Sequence, residues 1–136
     1  MFEQYPSLLD RVKAVSIDTF VLVLFMVGAS LSFSHFGEIP EAARISVILA
    51  ILLYDPICTS SFGGTLGHLF VGIRVKRADD VERNLILSVA IIRFILKTGL
   101  GWVSLLTVTG NRKKQAIHDF AAHSVVVYKG EHLINV

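Results

Sequence analysis

The sequence predicts an α-helical membrane protein with two full transmembrane helices, a broken third apolar segment, and a small cytoplasmic layer of short strands. Three observations carry that expectation. Residues 12–36 and 42–58 are apolar runs close to the about 20 residues that cross a bilayer core. Residues 85–109 are a third apolar run, interrupted by Arg93, Lys97 and the stretch Thr98-Gly99-Leu100-Gly101. Most of the cations lie between these runs rather than within them. Composition agrees: 18% of residues are charged, against about 25% in an ordinary soluble domain, and mean hydropathy is +0.63.

The 136 residues read as a single domain without an internal repeat or linker. A net charge of +2 is too small to suggest a nucleic-acid partner. Cys58 is the lone cysteine, so no internal disulfide forms. The first apolar run is not expected to be a cleaved leader. Glu3 and Asp10 accompany Arg11 and Lys13 before it, and Asp18 lies inside it.

Along the chain, Gly37-Glu38-Ile39-Pro40 reads as a turn, with Pro40 placed to start the second helix and Glu41 at its positive end. In that helix Ala42, Ser46 and Ala50 recur on one face. Such spacing allows close helix approach in lipid and is also common without it. Tyr54-Asp55-Pro56 is expected to end the helix, because a residue before proline avoids helical geometry. Ile73-Arg74-Val75-Lys76 alternates as a short strand does, with Asp79-Asp80 as its turn. An amphipathic stretch at residues 116–122 precedes a second strand at residues 124–128.

Cations near span ends set orientation. Arg11 and Lys13 flank the first span, and Arg74, Lys76, Arg77 and Arg83 follow the second, whereas the 37–41 turn is acidic. The N-terminus is therefore expected in the cytoplasm of a multi-pass cell-membrane protein. A third full crossing would expose Arg112, Lys113, Lys114 and Lys129 outside and part the two strands; a segment that breaks at Gly99 and Gly101 and returns would not. Both topologies remain open at this point, with the returning one favoured.

The charges inside the apolar runs are the candidate site. Arg11 and Asp18 lie seven residues apart on nearly one helix face, and Arg93 and Lys97 share a face at i, i+4. An ionised Asp18 below the headgroups is costly unless compensated, and cations of the same chain are the expected compensation. Three roles stay open for it: pairing with Arg93 or Lys97, exchanging a proton or small cation, or facing a wet vestibule. Asp119 is expected to cap or salt-bridge the cytoplasmic layer. Gly63, Gly64 and Gly67 suit tight turns better than an anion nest. His35, His68, His118, His123 and His132 are scattered without metal-ligand spacing, so no metal or other cofactor is expected, and no nucleophile motif suggests an enzyme. Trp102 reads as an interfacial anchor or a packing residue.

Taken in order, these residues resemble the RDD family of small membrane proteins, named for one arginine and two aspartates. Arg11 and Asp18 match the arginine and aspartate of the first span. Gly64-Thr65-Leu66-Gly67-His68 followed by residues 71–75 is similar to the family's glycine-bounded turn and strand, and Arg93 to its later arginine. His118-Asp119 and then Ser124-Val125-Val126 resemble its closing motif, which makes Asp119 the second aspartate. Gly64 and His68 depart from the usual glutamine and lysine. The resemblance implies a link to transport, in some members exchange of sodium-type cations for protons. On that basis the charge network of Arg11, Asp18, Arg93, Lys97 and Asp119, with the turn residues Gly64, Thr65 and Gly67, is expected to serve a homo-oligomeric cation/proton exchanger in the lipid bilayer. The alternative is a non-transporting scaffold or accessory subunit.

Overall fold

The computed structural model describes residues 5–129; Glu3 and His132 fall outside them. The first helix, α1, runs Leu8–Phe36, four residues earlier than the apolar run begins. Its start is a reciprocal cap: the Ser7 hydroxyl accepts from the Asp10 N–H, and the Asp10 carboxylate accepts from the Ser7 N–H, both at 3.3 Å. Only Arg11, Ala14 and Asp18 of α1 are buried, a stripe spaced three and four residues apart along its first turns. The rest of the helix is apolar and exposed, as suits a lipid-facing surface.

Pro40 opens α2, which spans Glu41–Phe62, its carbonyl accepting from the Ala43 N–H at 2.9 Å. The helix does not stop at the Tyr54-Asp55-Pro56 stretch. It carries Pro56 inside it and ends at Gly63, which adopts the left-handed conformation (φ 78°). The local preference against helix before proline is outweighed by tertiary contacts, since Asp55, Pro56 and Thr59 form the buried face that meets the third segment. Ala42, Ser46 and Ala50 remain exposed, and the Ser46 hydroxyl donates to the Ala42 carbonyl.

A short helix, α3 (Leu66–Val71), leads into strand β1 (Ile73–Arg77). Helix α4 covers Leu87–Leu100 and stops at Gly101, whose φ of 53° and ψ of −131° turn the chain out of the helix. A 3-10 helix follows over Gly101–Gly110. Then come α5 (Ile117–Ala121) and strand β2 (Ser124–Tyr128). The two strands pair antiparallel, from Ile73 opposite Tyr128 to Arg77 opposite Ser124. Both strands therefore stand where the sequence expected them.

Three stretches are long and apolar enough to cross a membrane: Leu8–Phe36, Glu41–Phe62 and Leu87–Gly110. The third is broken at the expected glycine. Its second half returns toward the polar layer: Ser104 bonds His118, and the Thr107 hydroxyl donates to the Gln115 carbonyl at 3.0 Å. Because Arg77 and Ser124 are sheet partners, residues 78–123 leave and rejoin one end of the molecule. A single crossing would separate them, so the segment makes an even number of traverses. The sheet, α3, α5, the start of α1 and the end of α2 form one polar layer, sealed by Ala14, Ile73, Val75, Leu85, Ala90, Ala122 and Val126.

Candidate functional site

Where the polar layer meets the membrane-spanning helices, buried charges settle into three groups. The first joins Arg11, Arg93 and Asp119. Arg11 Nη1 donates to Asp119 Oδ2 at 2.7 Å, and Arg93 Nε donates to Asp119 Oδ1 at 3.0 Å. All three side chains are at least 96% buried. Arg11 Nη2 also donates to the Lys114 carbonyl at 2.6 Å. Burial pushes the Asp119 carboxyl up, but the two guanidinium groups outweigh it and hold it far below the ordinary carboxylate range. The Ala116 N–H donates to the same carboxylate at 3.1 Å, so Asp119 also caps α5. The expected salt bridge of Asp119 to the polar layer is present.

The second group is Lys97 Nζ with Asp55 Oδ2, 2.6 Å apart, the Asp55 carboxylate also accepting from the Thr59 hydroxyl at 3.2 Å. The shared face of Arg93 and Lys97 points inward. Its partners are Asp119 and Asp55, however, and neither is Asp18.

Asp18 forms the third group, and here the sequence expectation is overturned. Among the described residues no ion pair reaches Asp18. Its Oδ1 accepts from the Gly67 N–H at 2.8 Å and from the Tyr54 hydroxyl at 3.1 Å, and its Oδ2 accepts from the Thr65 hydroxyl. The Tyr54 hydroxyl in turn accepts from the Leu66 N–H at 2.9 Å. Asp18 thus sits at the N-terminal end of α3 and satisfies donors that the helix cannot satisfy itself. Arg11 shares its helix face but turns to Asp119. Compensation of Asp18 comes from neutral dipoles instead of cations.

Gly67 makes this possible. A Cβ there would stand 2.0 Å from the Ala14 carbonyl oxygen and 2.8 Å from the Asp18 carboxyl carbon, so only glycine brings the α3 backbone onto α1. A Cβ on Gly64 would meet that of His68 at 2.6 Å. The glycines therefore serve tight packing, and the anion their turn receives is the protein's own Asp18. His68 Nδ1 accepts from the Thr65 N–H at 3.3 Å and lies 2.6 Å from the Thr65 hydroxyl. Burial, with Lys97 and Arg93 nearby, drives the His68 imidazole well below its ordinary value.

Sequence reasoning did not find Tyr54 or the Thr65–His68 contact as partners of Asp18. Their only sequence signal was proximity to the glycine turn. The Ser104–His118 link was also missed; His118 is lowered to about 3 by burial first and by Arg93 second. Trp102, at the turn out of α4, is 73% exposed.

The comparison with known families is specific: the family model described as RDD family matches residues 5–123 of the chain. No curated protein and no solved structure matches it.

Proposed function

The chain belongs to the RDD family of membrane proteins, and on that premise we propose that it is an oligomeric exchanger of small cations for protons, with the Asp18 carboxylate binding one or the other. The observation that carries this reading is the contrast between Asp18 and its two buried neighbours. Asp119 and Asp55 are each locked to cations. Asp18, 8% exposed, is held only by hydroxyls and a backbone N–H among the described residues. A buried carboxylate that no cation of its own chain occupies leaves that place to a small cation from outside, which is the property an exchange site needs. A cavity of about 260 Å³, lined by Asp18, Tyr54, Asp55 and Thr65 among others, gives a small cation room to approach.

Two full spans and one broken segment cannot enclose a path alone, so the proposal includes assembly of several copies around it. We place the polar layer and the N-terminus on the cytoplasmic face of the cell membrane. Arg11, Lys13, Arg74, Lys76, Arg77 and Arg83 at that end, against Glu38 and Glu41 at the other, support that orientation.

The test is sodium movement against a pH gradient in proteoliposomes of purified protein. The parent is expected to exchange, and Asp18→Asn to lose exchange while keeping its fold. Exchange undiminished in Asp18→Asn removes Asp18 from the mechanism. Absence of exchange in the parent favours the second reading, a scaffold or accessory subunit. That reading has its own observation: the pairs Arg11–Asp119–Arg93 and Lys97–Asp55 tie α1, α2, α4 and α5 into one block, which is all a scaffold requires.

A further inference from the structure

The clamp at Asp119 is unbalanced. Two guanidinium groups share one carboxylate and Lys97 is matched by Asp55, so at the clamp itself the cations outnumber the acids by one, while the third buried acid, Asp18, stands apart among neutral donors. The donors are unbalanced too. Among the described residues, Arg11 Nε and Arg93 Nη1 are buried without a hydrogen-bond partner. Orphaned donors on a buried cation are expensive, and native structures rarely leave them so.

Both arginines line one cavity of about 250 Å³. The same cavity is lined by Lys97, His68, His118 and Trp102 and, among the described residues, by no carboxylate. Asp18 lines the neighbouring cavity instead. The lining therefore offers three cations and two imidazoles. A water molecule claims about 30 Å³ of liquid, so the space exceeds what a tetrahedral oxyanion fills.

We infer that this cavity is an oxyanion site, built to receive a phosphate-type group between Arg11, Arg93 and Lys97. Planar guanidinium forks suit such a group better than a halide, because two N–H bonds meet two oxygens at once. The ammonium of Lys97 adds a point charge, and each neutral imidazole retains one ring N–H for donation. The His118 imidazole, pushed down to about 3 by burial first and by Arg93 second, fits a positive potential in this space. An anion there would offset the excess charge at the clamp, whereas the orphaned donors have almost no accessible surface and would meet it only once the guanidinium groups turn toward the cavity. The phosphate group has two sources, a free anion from the aqueous side or the headgroup of an anionic lipid, and both present the same chemistry. Asp18 lines the other cavity, and Lys97 lines both.

The test uses the full chain. Equilibrium dialysis with labelled inorganic phosphate in a neutral detergent probes the free anion. Unfolding in nanodiscs of phosphatidylcholine, with or without phosphatidylglycerol, probes the headgroup. Replacing either arginine risks the fold, so the informative variants are Leu105→Glu and Leu105→Gln, since Leu105 also lines the cavity. The glutamate supplies a tethered carboxylate that competes with the ligand; the glutamine has the same size without the charge. Saturable phosphate binding with a Kd of about 1 mM or tighter, weakened at least about tenfold by Leu105→Glu and much less by Leu105→Gln, supports a free-anion site. Stabilisation by phosphatidylglycerol alone, lost in Leu105→Glu, supports a headgroup site. No binding and no stabilisation in the parent, or binding equal in the parent and Leu105→Glu, overturns the inference.

Discussion

Arg93 in the middle of α4 and Asp119 in α5 are joined across 3.0 Å, with side chains 1% and 0% exposed. They stand 26 residues apart, on either side of the break at Gly101. This pair is what returns the chain to the polar layer after its apolar excursion. Arg11 closes the same carboxylate from α1, so one acid fastens the third segment to the first helix.

Asp119 is therefore expected to be the most costly single charge to remove. Asp119→Asn leaves two buried guanidinium groups facing a neutral amide, a loss of about 3–5 kcal/mol by analogy with other broken buried pairs. Thermal unfolding in detergent checks this. Asp79→Asn, which breaks an exposed pair with Arg77, is the control and should leave the melting temperature nearly unchanged. Equal effects of the two would remove the clamp from the account.

Gly67→Ala should disrupt the packing of α3 on α1, because the new methyl meets a backbone oxygen that cannot rotate away. Gly28→Ala, with no atom near its Cβ position, should be neutral or stabilising by up to about 1 kcal/mol. Comparing the yield of folded protein and the melting temperatures of the two variants checks the contrast. A tolerated Gly67→Ala would contradict the close approach.

Stability should fall as the solution is acidified through the histidine range. His118 is lowered from its ordinary 6.5 to about 3 by burial and Arg93, and His68 is shifted the same way. Between those two values the unfolded chain binds more protons than the folded one, so stability rises with pH. The contribution is complete above 6.5 and is lost as pH falls toward 3. Melting temperatures from about pH 8 down to about pH 5 should decline, and His118→Asn should flatten the slope. A parent with no slope would show that His118 is not held neutral.

The paired strands place Asp79 and Lys129 on one side of the membrane and Glu38 on the other. In a Cys58→Ser background, Asp79→Cys and Lys129→Cys should react with an impermeant thiol reagent from the same side. Glu38→Cys should react only from the opposite side. Labelling of Asp79→Cys and Lys129→Cys from opposite sides would require a single crossing of residues 78–123.

Much of this was legible in the sequence because it rests on local signals. Apolar length marks the spans, alternation marks Ile73–Arg77, and Gly101 marks the break. The spacing of the cations at positions 93 and 97 marked one shared face, with Asp18 as a candidate partner. Which acids meet that face could not be read, because i, i+4 spacing orders one helix face and carries no information about the element facing it. The expected compensation of Asp18 by cations failed for a related reason. Its partners are two hydroxyls and one backbone N–H from residues 54–67, groups without a charge signature in sequence. The passage of α2 through Pro56 was hidden likewise, since a local preference yields to contacts made only in the folded protein.

The central functional claim is that the Asp18 carboxylate trades a proton for a small cation. It is tested most directly by counting protons released into weakly buffered solution when sodium is added to purified protein. The account predicts a saturable release in the parent that disappears in Asp18→Asn and persists in Asp79→Asn. No release from the parent, or release unchanged in Asp18→Asn, would contradict it.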